Sequence, residues 1–160
     1  MRPCPGRWRA RGALALPALL ALALAACTPA RGRMLEGEIT QAAQTGGRID
    51  LARLYRAPWD RVCVLLPYIR PAMADSLLGF HFSGAGELAD DERIAGVVFV
   101  RAGRVAAFAR VARDGADFAA DPRLTGRGYC LPRDRAVFRS TSTPGTPGRR
   151  AVLPLSAREP

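Results

Sequence analysis

The 160-residue sequence contains no lysine and only one histidine, His81. Without lysine there is no residue for a Schiff base, no phosphate-loop lysine and no serine-lysine dyad. With a single histidine, a zinc site lacks its usual nitrogen ligands. We therefore expect no metal and no cofactor, and these absences remove several classes of enzyme from consideration.

The residues that remain for catalysis or metal binding each have a simpler explanation. His81 has Ser83 nearby, but the Gly-x-Ser-x-Gly elbow of many hydrolases is absent, so we predict a loop histidine and no catalytic residues. Two acidic groups lack the ligand spacing of a calcium loop and are predicted to be solvated turns. They consist of Glu87, Asp90, Asp91 and Glu92, and of Asp114, Asp117 and Asp121.

The sequence also has no apolar run long enough to span a bilayer comfortably. The longest run, residues 13–26, consists of alanine, leucine and Pro17, whereas a spanning helix needs about 20 residues. It follows a head that carries four arginines. A basic head, a short apolar run and small residues at its end are typical of a secretory signal.

The run ends in Leu24-Ala25-Ala26-Cys27, which resembles the lipobox of bacterial lipoproteins. The resemblance implies cleavage before Cys27, a diacylglyceryl thioether on its sulfur and a further acyl chain, such as palmitate, on the new amino group. Several chains anchor a protein durably, whereas one chain binds only marginally. Thr28 stands where an aspartate would resemble an inner-membrane retention signal, so we expect the periplasmic face of the outer membrane. The alternative is an ordinary signal with a chance cysteine.

The four cysteines can now be assigned. Cys4 leaves with the signal and Cys27 carries the lipid, so Cys63 and Cys130 remain for the domain. In an oxidising compartment such a pair is expected to form a disulfide, although two buried free thiols are the alternative. Their separation of 67 residues would contribute about 4 kcal/mol in the loop-entropy description.

The formal net charge of +10 is less informative than it looks. Removal of the four head arginines leaves 20 arginines against 14 acidic residues, a net charge of +6. Abundant alanine, arginine, glycine and proline are typical of a GC-rich genome, and the alternative is a functional attraction to anionic lipid or lipopolysaccharide. Export argues against a nucleic-acid partner. The expected partners are the membrane, through the N-terminal lipid, and another envelope protein or a glycan.

The clearest structural pattern lies between residues 61 and 111. Residues 61–66 are apolar on both faces, which predicts a central strand that Pro67 ends. Residues 94–101 and 104–111 flank Ala102-Gly103 and predict a hairpin. Helices are predicted at 34–44, in a turn capped by Asp50, and at 71–79, while a last strand is expected at 129–131 or, in preference, at 136–140.

These elements predict an α+β fold with a small antiparallel sheet of three or four strands and one or two short helices. We divide the chain into a signal peptide at 1–26, a lipidated tether at 27–33, a single domain at 34–139 and a flexible tail at 140–160. In the first helix Met34, Leu35, Ile39 and Ala42 are expected to form the apolar side.

A second resemblance rests on Trp59-Asp60-Arg61-Val62-Cys63, on Pro67-Tyr68 and on a hairpin of the form Val-Phe-Val-x-x-Gly-Arg-Val. It is similar to a group of small uncharacterised exported bacterial proteins over residues 49–111. The resemblance supports the predicted fold, but it brings no known activity with it. Trp59, Asp60, Tyr68 and Arg70 are candidates for a partner surface. Alternatively, Trp59 packs against the helix and Asp60 binds turn amides or an arginine.

Two functional hypotheses remain. The favoured one is a non-enzymatic, lipid-anchored envelope lipoprotein that acts as a structural, adaptor or binding domain. The alternative is a membrane-anchored small-ligand binder or hydrolase whose site has no recognisable motif.

Overall fold

The computed structural model describes residues 28–120, 127–142 and 148–155. The predicted signal, the lipobox and Asp121 lie outside the described residues. The helices are α1 (Thr28–Thr45), α2 (Leu51–Leu54) and α3 (Pro71–Leu78), with short 3₁₀ helices at Ser83–Leu88 and Arg133–Arg135. The strands are β1 (Gly47–Asp50), β2 (Arg61–Leu65), β3 (Ile94–Arg101), β4 (Arg104–Ala112), β5 (Gly128–Pro132), β6 (Val137–Ser142) and β7 (Arg150–Pro154).

The strands form two antiparallel sheets. The larger sheet has the order β4-β3-β2-β5 and the smaller one the order β1-β6-β7. The predicted α+β fold with a small antiparallel sheet is confirmed. Both candidates for the last strand are present, because residues 129–131 lie in β5 and residues 136–140 overlap β6.

Strand β2 is the central strand that its sequence predicts, paired with β3 on one side and β5 on the other. Val62 and Val64 face a core shared with α1 and the smaller sheet, whereas Cys63 and Leu65 face a second core beneath α3. Cys63 lies directly opposite Cys130 on β5, with the two sulfur atoms 2.02 Å apart in a disulfide.

The β3–β4 hairpin also forms as predicted. Ala102 and Gly103 both have positive φ, 48° and 70°, as a two-residue turn that matches the twist of the strands requires. A register shift after Phe99 leaves Ala106 without a cross-strand partner, and the Tyr55 hydroxyl donates to its carbonyl at 3.1 Å.

Helix α1 begins at Thr28, so residues 28–33 are helical rather than the expected tether. Here the helix passes close to β4: a Cβ at Gly32 would lie 2.6 Å from the Phe108 carbonyl oxygen, which only glycine permits. Further along, the Gln44 amide donates to the Gly115 carbonyl at 2.7 Å. Helix α1 therefore runs in the same direction as β4, with its first residues toward the hairpin turn.

The buried side of α1 differs slightly from the prediction. Leu35 and Ile39 are buried as expected, but Ala43 replaces Ala42 and Met34 is 68% exposed. The four-residue spacing of Leu35, Ile39 and Ala43 keeps one side of the helix on the sheets. None of the helices within the described ranges is long and apolar enough to cross a membrane.

Part of the expected flexible tail is a strand. Residues 150–154 form β7, which pairs with β6 and buries Val152. Its outer side is bridged to Asp117, whose backbone N–H donates to the Arg150 carbonyl at 2.7 Å. The five residues of β7 are too few to show a periodic pattern, so this pairing was not predicted.

Candidate functional site

Trp59 is a core residue and not a surface residue. It is 3% exposed, its indole N–H donates to the Tyr55 carbonyl at 2.9 Å, and its ring meets Phe99 edge to face at 5.1 Å. The Arg133 guanidinium covers the ring at 4.8 Å from the centroid. Trp59 therefore cannot contribute to the predicted partner surface. It has a structural role, as the alternative expects, but its ring contacts are with Phe99 of β3 and Arg133 rather than with a helix.

Asp60 organises the end of the larger sheet at which β2 begins. Its carboxylate accepts a hydrogen bond from the Ala102 N–H in the hairpin turn at 2.7 Å. Its backbone N–H donates to the Val100 carbonyl at 2.8 Å, and its carbonyl accepts from the Arg133 N–H at 3.0 Å. Asp60 thus joins β2, the hairpin and the end of β5, as the turn-amide alternative predicts.

Tyr68 and Arg70 lie beyond the opposite end of β2 and are both exposed. Tyr68 follows Pro67 in a turn, has a φ of 60° and is 56% exposed. A left-handed conformation is unusual for a large side chain, and such strain is concentrated at functional sites. The Tyr68 hydroxyl donates to Glu92 at 3.1 Å. The four predicted surface residues are therefore split between the two ends of the sheet.

His81 is exposed and pairs with Asp75 of α3, with Nδ1 2.9 Å from the carboxylate. The same carboxylate accepts from the Phe82 N–H at 2.8 Å. The hydrogen bond from His81 and then that from Phe82 lower the pKa of Asp75 below its usual range. Among the described residues no hydrogen bond joins Ser83 to His81, so the pair connects α3 to its following loop.

The acidic group at residues 87–92 is used in separate pairs. Glu87 pairs with Arg110 at 3.0 Å and Asp91 pairs with Arg93 at 3.3 Å, while Glu92 accepts from Tyr68. Within the described part of the chain, no group of three or more acidic, histidine or cysteine side chains is arranged to hold a metal ion.

Asp117 corrects the prediction of a solvated turn for the second acidic group. It is 2% exposed, and its carboxylate accepts from Arg113 Nε and from Arg149 Nε, each at 2.8 Å, and from the Ala119 N–H at 3.1 Å. Burial alone raises the pKa of Asp117, but the hydrogen bonds from both arginines outweigh it, so the pKa is below its usual range. Asp114, three residues earlier, is exposed.

The two arginines that bind Asp117 line a cleft of about 780 Å³. The charged residues that line it are Glu92, Arg93, Arg113, Asp114 and Arg149. Three of these side chains are already engaged: Arg93 with Asp91, and Arg113 and Arg149 with Asp117. Most of the charged side chains of the cleft therefore already have partners and do not form a set of free acid and base groups.

A second groove, of about 530 Å³, lies between the N-terminal part of α1 and strand β4. Gly32, Arg33, Val105 and Phe108 are among its lining residues, so the beginning of α1 and the beginning of β4 are neighbours. No sequence signal indicated either cavity, because each is formed by elements far apart in the chain. The chain matches no protein-family model, and neither a curated protein nor a solved structure matches it.

Proposed function

We propose that this chain is a lipid-anchored lipoprotein of the bacterial envelope, held on the periplasmic face of the outer membrane, that acts as a non-enzymatic adaptor or binding domain. The observation that carries the proposal is the sequence Leu24-Ala25-Ala26-Cys27 at the end of a short apolar run, followed at once by α1. Cleavage before Cys27 would remove none of the described core, which begins at Leu35.

The adaptor role is supported by how the charged side chains are used. Asp117, the buried carboxylate beside the larger cleft, accepts hydrogen bonds from two arginines that favour its ionised form. Such a carboxylate connects segments of the chain and is poorly suited to donate a proton. Tyr68, exposed and conformationally strained, is the residue we assign to the contact with a partner protein or glycan, together with Arg70.

The anchor is tested by replacing Cys27 with serine in the producing bacterium. We expect Cys27→Ser to abolish labelling with an alkyne-tagged palmitate and to prevent processing at the lipobox. Cys4→Ser is the matched control, since it removes a cysteine of the same signal and should leave labelling unchanged. A Cys27→Ser protein that is processed and labelled normally would overturn the proposal.

The partner contact is tested by photo-crosslinking in cells. A crosslinking amino acid at position 70 should give a reproducible protein or glycan adduct, and the same amino acid at the exposed position 48 on β1 should not. A protein that yields adducts equally from both positions, or from neither, would argue against a partner surface at Tyr68.

The larger cleft supports the second candidate function, that of a small-ligand binder. The 780 Å³ cleft is large enough for a small polar molecule, which suits a membrane-anchored small-ligand binder. A protein without adducts in cells, but with a bound small molecule detected by native mass spectrometry, would favour this function.

A further inference from the structure

Ion-paired arginines lie at one end of the larger sheet, together with the exposed Arg70 and Arg127, which form no ion pair with another described residue. At the other end no exposed arginine forms an ion pair with another described residue. The end at which β2 begins includes the hairpin turn, the loop before β2 and the 3₁₀ helix after β5, and we call it the basic end. Its exposed arginines are Arg56, Arg101, Arg104 and Arg135. None of these four forms an ion pair with another described residue.

Contacts at the basic end place these arginines near one another. Asp60 bonds to Ala102 in the hairpin turn and to the Arg133 N–H, and the Arg133 guanidinium donates to the Ala57 carbonyl at 3.1 Å. Each of the four exposed arginines lies within two residues of one of these contacts. The basic end is thus one connected surface.

The hairpin carries its two arginines at a cost in stability. Arg101 and Arg104 are directly opposite each other across the turn. Like charges at facing positions destabilise a strand pair. The Asp60 carboxylate lies at the turn, where it accepts from the Ala102 N–H, but it forms no ion pair with either arginine. Such an arrangement is expected where the positive charge serves a contact outside the domain.

The N-terminal helix points toward this same end. Gly32 contacts Phe108 on β4, and Gln44 contacts Gly115 beyond it. From Gly32 back to residue 28 is about 6 Å along the helix, and from Phe108 back to Arg104 is about 13 Å along the strand. The first residue of α1, Thr28, therefore lies on the hairpin side of Gly32, about 7 Å short of Arg104 along the strand.

One exposed large apolar side chain lies on this side as well. Val105 follows Arg104 and lines the groove beside Arg33. Apolar and cationic side chains together are the composition that binds a phospholipid surface, through buried apolar area and attraction to phosphate.

We propose that the basic end of the domain docks on an anionic phospholipid surface, so that Tyr68 at the far end of the sheet points away from the membrane. This inference rests on the proposed lipid anchor, which would hold the basic end within reach of the headgroups. A lipid anchor combined with a basic patch binds a membrane more durably than one acyl chain does.

The test uses the mature, lipidated protein reconstituted in vesicles and measures amide hydrogen exchange. We expect amides at residues 100–106 to exchange more slowly in phosphatidylcholine vesicles that contain phosphatidylglycerol than in pure phosphatidylcholine vesicles. Amides at residues 89–93, at the far end, should not change. The difference should disappear in 0.5 M salt, because the Debye length falls to about 4 Å.

A double variant and a charge-matched control isolate the arginines. Each arginine at an anionic surface changes the ratio of docked to undocked protein roughly fivefold. The double variant Arg101→Gln with Arg104→Gln should therefore lower this ratio about 25-fold. Arg48→Gln with Arg127→Gln removes the same charge from exposed positions elsewhere and should leave protection unchanged.

Each other outcome overturns the inference in a distinguishable way. Equal protection in both vesicle types would exclude recognition of anionic lipid, and protection without vesicles that rises with protein concentration would indicate a second copy of the chain. In both cases the anchor could still be present, as the intact mass of the purified protein shows. A mass without lipid on Cys27 would overturn the anchor and this inference together.

Discussion

The two ends of the larger sheet both carry arginines, but of the two only the far end has ion-paired ones among the described residues, beside the exposed Arg70 and Arg127, which form no such pair. At the far end Arg113 and Arg149 bind Asp117, while Arg93 and Arg110 pair with Asp91 and Glu87. At the basic end the exposed arginines have no such partners among the described residues. A paired guanidinium connects segments of the chain, whereas an unpaired one leaves its charge available to a surface outside the domain. Arginine content alone therefore does not indicate what the arginines do.

The largest expected effect is the loss of the buried carboxylate at the far end. Asp117→Asn should destabilise the domain by about 2–4 kcal/mol, because two partly buried guanidiniums lose their shared counter-charge. The urea midpoint measures this loss. Asp114→Asn is the matched control, since Asp114 is exposed and should change stability by less than about 0.5 kcal/mol. Equal midpoints for both variants would show that the carboxylate of Asp117 contributes little.

The Asp117 carboxylate should also make the free energy of unfolding depend on pH. Because the folded-state pKa of Asp117 is lowered, its contribution is present above the unfolded pKa of about 3.9 and is lost as the pH falls through the folded value. The wild-type protein should therefore lose more stability than Asp117→Asn below about pH 4. Parallel acid unfolding curves would contradict this assignment.

An intermediate effect is expected from Asp60 at the basic end. Asp60→Ala removes the acceptor for the Ala102 N–H and should cost about 1–2 kcal/mol, with faster amide exchange in the hairpin turn. Asp134→Ala, an exposed aspartate at the same end, should stay within about 0.5 kcal/mol of wild type. Unchanged exchange at residue 102 in Asp60→Ala would contradict the role of this hydrogen bond.

The smallest expected change in stability compares the unpaired arginines of the hairpin with the ion-paired Arg149. Arg101→Gln with Arg104→Gln should change stability by at most about 0.5 kcal/mol, in the stabilising direction, because two facing like charges are removed. Arg149→Gln, which breaks a bond to Asp117, should destabilise by about 1–2 kcal/mol. Thermal unfolding of the two variants compares them directly, and a larger loss in the hairpin variant would reverse our interpretation of the two ends.

The parts of the fold that the sequence predicted well are those whose signal is local. The apolar faces of β2, the positive φ at Ala102-Gly103 and the Asp50 side chain that accepts from the Ala52 N–H depend on residues next to one another. The pairing of Cys63 with Cys130 is distant in sequence, but it followed from the small number of cysteines. The lipobox prediction is also local and lies outside the described residues.

The parts that could not be predicted depend on partners far apart in the chain. Asp117 was expected in a solvated turn because its partner Arg149 comes 32 residues later, after segments without a clear pattern. Residues 150–154 were expected in a flexible tail because five residues are too few for a periodic pattern. They form a strand by pairing with β6. Residues 28–33 were expected in a tether because the contact between Gly32 and β4 is not visible in a helical pattern.

By itself, the sequence determined the central strand, the hairpin and the disulfide pair, since each follows from neighbouring residues or from a count. The lipid anchor stays a prediction. Only the tertiary structure decided that Trp59 is buried, that Asp117 is an ion-paired core residue and that the arginines divide into a paired and an unpaired set. The physical reason is that burial and ion pairing depend on which segments meet in space. The sequence does not distinguish an arginine that is paired from one that is not.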